Sequence, residues 1–364
     1  MEVKYVDIGS QYTEHRDEYL KTIDEVLSSG QLIMGAEVDT LERNFCELTG
    51  SKHAISVANG TDALVIIMKS LGIGPGDEVI TASNSFISSA SSIGLIGATP
   101  VFADIDDDLN ISAEAIEKVI TNKTKAIMPV HLTGKCADMT PILEIAKKHG
   151  LKVIEDAAQS IMAKSNDWLS GSMGDAASFS LHPLKNLNAF GDAGIITTSD
   201  DQLAEKMRLM RNHGQVSRDD FVFWGFNSRT DAVQAAIINK KIKYLDGVIK
   251  NRRENAQLYR NRLKDIVKCP VDGEGCFDTY HLFVIQAKKR DELKAFLDST
   301  GVQAQIHYPT PIHLYKAASY LGYKKGDLPN TERLAGEILS LPIHQGLGPS
   351  QIEYVCEKIE QFYK

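Results

Sequence analysis

The chain has 364 residues, a net charge of −8, and is 43% hydrophobic and 24% charged. That length allows a large core and about two domains, while the acidic balance argues against a nucleic-acid partner, which needs a basic surface. No run of about 18 apolar residues is present to cross a bilayer, the N-terminal MEVKYVDIGSQYTEHRDEYL has no apolar signal segment, and five scattered cysteines without a CxxC pair lead us to expect no disulfide framework, no metal site and a reducing cytoplasm.

From about 50 to 200, short apolar runs alternate with helical periodicity. Strands are expected at 54–58 (AISVA), 78–81 (EVIT), 100–103 (PVFA), 125–130 (KAIMPV), 152–156 (KVIED), 176–181 (AASFSL) and 193–198 (AGIITT). Helices are expected between most of them, at 61–71, 86–97, 112–120 and 138–149. Several strand runs are apolar throughout, as when both sheet faces are covered. The alternation implies a mostly parallel α/β sheet with helices on both faces. GIGPGD (72–77) and GATP (97–100) punctuate the series. A helical pattern over about 230–264 leads into a smaller C-terminal α+β part. Strands are expected there near 280–287 and 302–306, and helices near 331–340 and 349–363. The expected division is a large domain, 1–245, including the N-terminal segment, and a small domain, 246–364.

In open α/β sheets, ligands bind beyond the carboxyl ends of the strands, and three segments there carry reactive groups. KVIEDAAQS (152–160) ends a strand on Asp156. A carboxylate there either holds a protonated ring nitrogen, making the ring an electron sink, or caps a helix. AASFSLHPLKNLNAFGDAG (176–194) places Ser180 at a strand end and Lys185 between two buried strands. A desolvated lysine keeps more of its amine neutral for Schiff-base chemistry, whereas a solvated loop lysine is inert. VANGTDAL (57–64) turns at Asn59-Gly60 and starts a helix near Thr61. This is either a phosphate site made of backbone N–H groups and a hydroxyl or plain helix initiation. Together, a phosphate site, an acid for a ring nitrogen and a loop lysine are the parts that pyridoxal phosphate needs.

With NGTDAL, EDAAQS, SFSLHPLKNLNAFGDAG, RNHG (211–214), GFNSRTDAVQAA (225–236) and HYPTPIH (307–313) in this order, the chain resembles the DegT/DnrJ/EryC1/StrS sugar aminotransferases, which have the aspartate aminotransferase-like fold type I. The resemblance covers nearly the whole chain. It implies that Lys185 carries the cofactor, that Asp156 faces the pyridine nitrogen, and that Gln159 lies beside the phenolic oxygen. It assigns Gly60, Thr61 and Ser180 to the phosphate. Phe86 either packs on the cofactor ring or is an ordinary core residue. Asn227 matches an asparagine that reaches the phosphate from a partner subunit, which implies a homodimer with shared sites. Arg229 either holds a carboxylate of the amino donor or of an acidic sugar by a bidentate contact, or forms a surface ion pair. His307, Tyr308 and His313 match the substrate-facing loop.

The implied reaction moves an amino group, from L-glutamate, to a keto sugar linked to a nucleotide, for a surface polysaccharide or a glycosylated metabolite. KNLNAFGDAG is closer to the KNLGAxGDxG form of enzymes acting at a C3 keto group than to the KxITxGGG form of several C4 aminotransferases. Ala193 departs mildly from the common GEGG or GDGG, and HLYKAASY (313–320) departs from HLQPAY. The alternatives are a C4 aminotransferase, a related sugar dehydratase and a cofactor-binding regulator. The related dehydratases carry histidine where this chain has Lys185.

Overall fold

The computed structural model describes all 364 residues. The apolar runs of the first half form seven strands: β1 (His53–Val57), β2 (Glu78–Ala82), β3 (Thr99–Ala103), β4 (Thr124–Met128), β5 (Lys152–Asp156), β6 (Ala176–Ser180) and β7 (Gly194–Thr198). They make one sheet in the order β1-β7-β6-β5-β4-β2-β3. Strand β7 runs antiparallel to β1 and β6, and every other pairing is parallel. The mostly parallel sheet expected from the sequence is present, and each strand lies within about two residues of its expected bounds.

The crossover helices Gly60–Ser70, Ser88–Leu95, Ala113–Val119 and Met139–His149 pack on the two faces. The first is buried from Ala63 through Met68 on all sides, as a helix apolar all round must be. Its residues join Ile55, Val79, Met128, Ile154 and Ile196 in the largest core cluster.

Register brings the strand ends together. Asp156 pairs with Ser178, and Gly194 pairs with both Ser180 and Val57. A Cβ on Gly194 would stand 2.5 Å from the Asn59 carbonyl. The Asn59-Gly60 turn therefore closes onto a position that only glycine can occupy.

In the C-terminal part, β8 (Phe283–Gln286) pairs antiparallel with β9 (Ile338–Leu341). The helix expected over 331–340 is a helix only over Pro329–Glu337. It gives way to β9, because the apolar run Ile338–Leu341 pairs with β8 and is wholly buried. The strand expected at 302–306 is two isolated bridges, Val302 with Val3 and Gln305 with Ser340.

The helical pattern over 230–264 is two helices, Ala232–Ile242 and Leu245–Leu263, broken at Tyr244. Tyr244 stacks on His15 at 4.1 Å between ring centroids and donates its hydroxyl hydrogen to Glu18, so the break is tied to the N-terminal helices. The second helix starts in one core, with Leu245 and Ile249 beside Phe179 and Ala193. It ends in another, with Ala256, Tyr259 and Leu263 beside Phe283 and Ile359. Val3 lies in that second core although it precedes the large sheet in sequence.

Candidate active site

The site lies where β1, β5 and β6 end and β7 begins. Asp156 is buried, and its Oδ2 accepts a hydrogen bond from Ser89 Oγ at 2.7 Å while Oδ1 accepts one from the Ala158 N–H at 3.3 Å. Burial raises the carboxyl's pKa; Ser89, the Ala158 N–H, Lys185 and His131 oppose the rise. Lys185 follows β6 on the loop to β7. Burial lowers its pKa from 10.5 to about 8, and Asp156, near enough for its field to act, pulls it the other way. At neutral pH a minor but useful share of this amine is unprotonated, unlike that of a solvated lysine.

Asp156 and its neighbour Glu155 point to opposite faces of the sheet. Glu155 is fully buried and accepts from the N–H groups of Gly171, Met173 and Gly174 at 2.7–2.8 Å. It also meets His131 Nε2 at 2.9 Å. Because the Ala137 N–H donates to His131 Nδ1, Nε2 carries the hydrogen and donates to Glu155. Glu155 thus fixes the turn before β6, and Asp156 faces the site.

Gln159 Oε1 accepts from the Thr133 N–H at 2.8 Å, which leaves the amide NH2 to serve the site. Asn59 caps the helix Gly60–Ser70 by accepting from the Asp62 N–H at 2.8 Å. Thr61 Oγ1 lies 2.8 Å from Ser88 Oγ. A Cβ on Gly60 would be 3.0 Å from Ser180 Cβ, so the bare helix start and the Ser180 hydroxyl share one cradle. A helix N-terminus with adjacent hydroxyls is a ready anion site. Phe86 is exposed, and its ring centroid is 6.1 Å from that of Tyr308. It is therefore not an ordinary core phenylalanine.

His307 and Tyr308 come to the same place from the C-terminal part of the chain. Burial lowers the His307 pKa to about 4, and the Lys185 charge adds to the effect. Its Nδ1 is 2.9 Å from Ser340 Oγ. Burial pushes the Tyr308 hydroxyl far up, Asp156 adds to this, and Gln159 opposes it. Lys185, Asp156, Gln159, Tyr308 and His307 thus share one site.

His313 is placed differently. Its side chain has no exposed surface, Nδ1 is 2.8 Å from Ser83 Oγ, and Nε2 is 3.2 Å from Glu332 Oε1. Both ring nitrogens are committed to holding the end of β2 to the 326–332 segment, which leaves none for a substrate in this arrangement. Asn227 and Arg229 make no hydrogen bond to the Lys185 cluster of their own chain. Asn227 is exposed, and Arg229 donates to Asn212 Oδ1 at 3.0 Å. Between them, Ser228 is buried and anchored to the Ala58 N–H and to Asp62.

Ser89 escaped the sequence reading, although the run SNSFISSASS (83–92) signals a hydroxyl-rich strand end. Thr133 contributes only its backbone, which no side-chain pattern reveals. The residues present fit pyridoxal phosphate: a half-buried amine with a minor neutral share, a carboxylate held for a ring nitrogen, and a cradle of bare helix start and hydroxyls for a phosphate.

Comparison with known proteins agrees with this arrangement. The model of the DegT/DnrJ/EryC1/StrS aminotransferase family matches residues 13–360. The chain is 45% identical to a protein of Geobacillus stearothermophilus named pleiotropic regulatory protein, over 100% of this chain and 99% of that one. It is 41% identical to dTDP-3-amino-3,6-dideoxy-alpha-D-galactopyranose transaminase of Aneurinibacillus thermoaerophilus, over 99% of each. Among solved structures it matches S. venezuelae DesV in complex with a ketimine intermediate, with a TM-score of 0.97 and 36% identity, over 100% of this chain and 99% of that one. The chain belongs to the DegT/DnrJ/EryC1/StrS aminotransferase family.

Proposed function

We propose that this aminotransferase binds pyridoxal phosphate and passes an amino group from L-glutamate to the C3 keto group of a nucleotide-linked hexose. The observation that carries the reading is a half-buried, partly neutral Lys185 within the field of a buried Asp156 at the end of the sheet. When bound, the cofactor supplies an electron sink for the bond being broken at the donor's α-carbon. Lys185 carries the cofactor and, once released, moves the proton to and from that α-carbon. Asp156 holds a proton on the ring nitrogen, Gln159 offers its amide to the phenolic oxygen, and Gly60, Thr61 and Ser180 hold the phosphate. Phe86 and Tyr308 wall the site, His307 and Tyr308 face the sugar, and Arg229 meets a carboxylate.

The family, the relative named for a 3-amino sugar and the KNLNAFGDAG loop support the C3 sugar. Subunit sharing is supported by the segment leading to Asn227. Val216, Phe221, Val222, Trp224 and Phe226 are all exposed there, and an apolar surface of this kind is expected to be covered by protein. Asn227 then completes the phosphate site of the partner.

The test is turnover of nucleotide-linked 3-keto and 4-keto hexoses with glutamate. The 3-keto sugar should be the better substrate, and Lys185→Ala should lose at least about a hundredfold in rate. Borohydride should fix the cofactor on the wild type alone. A regulatory role is the second reading, favoured by the name of the Geobacillus relative; it requires cofactor binding without turnover of any keto sugar.

A further inference from the structure

A second polar site shares His307 with the site just described. Tyr5, Arg252, His281, His307 and His344 line a partly enclosed cavity of about 50 Å³, closed off by apolar side chains including Leu282 and Ile343. That is several times the roughly 10–15 Å³ one water needs. Arg252 is 3% exposed. It donates through Nη1 to the carbonyls of Tyr280 and His281, at 3.0 and 3.2 Å, and through Nη2 to Gln345 Oε1 at 3.2 Å. No carboxylate balances it, and the neighbouring Tyr5, whose hydroxyl burial pushes far up, is a neutral phenol that supplies no counter-charge. A buried guanidinium without a counter-charge is strongly unfavourable.

The cavity is also rich in unused donors. The buried Arg252 Nε, Tyr5 hydroxyl, His281 Nδ1 and both His344 ring nitrogens have no hydrogen-bond partner. Arg252 Nε–H can only donate, and His344, with both ring nitrogens unpartnered, has one N–H to give. Burial holds His344 and His307 at about 4, so both are neutral at physiological pH and add donors without adding charge. One fixed positive charge, several unpaired donors and a small cavity describe a receptor for a small negative ion.

We propose that this cavity binds a monatomic anion, chloride under ordinary conditions, on Arg252 Nε and the Tyr5 hydroxyl. The anion balances Arg252 and adds a negative charge near Lys185, whose own field already reaches His281 and His307. The site does not depend on which sugar is aminated.

Two measurements on the cofactor-loaded enzyme test it. Crystals grown without halide and soaked in bromide should show an anomalous peak in this cavity. At constant ionic strength, replacing gluconate by chloride should raise the melting temperature. Tyr5→Phe, which removes one donor and keeps the ring, should raise the half-effective chloride concentration about tenfold. A cavity holding only water after the soak, or an equal chloride response in wild type and Tyr5→Phe, overturns the proposal.

Discussion

Ser89 donates its hydroxyl hydrogen to Asp156 Oδ2 at 2.7 Å, so a residue on one crossover helix sets the carboxylate that ends another strand. Ser85 supports the contact from 2.7 Å, Oγ to Oγ. The serine acts by position, since it holds the acid without reaching the reacting atoms.

Ser89→Ala removes one hydrogen bond to a charged group, worth about 1.5 kcal/mol, and should lower kcat roughly tenfold with a smaller effect on KM. Ser89→Thr should recover part of the loss. An unchanged kcat in steady-state assays contradicts this role.

Lys185 gives a pH signature in the cofactor-free protein. Its folded pKa is about 8 against 10.5 for the free amine. Between those values the unfolded chain binds more protons than the folded one, so stability rises with pH across pH 8 to 10.5, and the penalty is complete below 8. Lys185→Met removes the penalty. It should be more stable than wild type by about 3 kcal/mol at pH 7, and the gap should close toward pH 10.5. Urea unfolding at a series of pH values checks this; a constant gap contradicts it.

If Asn227 acts on the partner's site, two inactive proteins should rescue one another. Mixed Lys185→Ala and Asn227→Ala subunits can place both defects in one site and leave the other intact. Verified heterodimers should regain up to about half of the wild-type activity per dimer, assuming random function of the two sites. Heterodimers without activity contradict sharing.

Glu42 is a buried carboxylate that takes hydrogen bonds from Arg211, Arg208, and the Ser56 N–H and hydroxyl. Burial pushes its pKa up, but Arg211 and Arg208 outweigh this and hold it below its ordinary value. It explains the arginine of RNHG as a strut between the helix Ala36–Thr49 and β1. Glu42→Ala leaves the buried Arg211 charge without a partner and should destabilise the protein by about 3–5 kcal/mol. Denaturant unfolding measures it, and a loss below about 1 kcal/mol would point to a merely solvated pair.

The central sheet was legible because its strands are buried on both faces, and an apolar run bounded by turns leaves few other choices. Lys185 and Asp156 stood out because each is a polar residue at the end of such a run. Ser89 did not, since its partner is 67 residues away. His313 was misleading for the opposite reason: its motif is the expected one, but the ring is taken up by Ser83 and Glu332. Val3 and the strand Ile338–Leu341 depend on pairing with distant segments, and a local pattern carries no trace of the partner.

Adjacent carboxylates on β5 separate two kinds of failure. The pleat sends Glu155 to the turn it clamps and Asp156 to the site. In a library covering both positions, substitutions at 155 should remove protein from the soluble fraction, while conservative substitutions at 156 should leave full yields of an idle enzyme. A one-residue insertion before them would exchange the two faces and lose both yield and activity. The most constrained property of this stretch is therefore its spacing, and a designer could change the surrounding apolar residues with more freedom than the length of the strand.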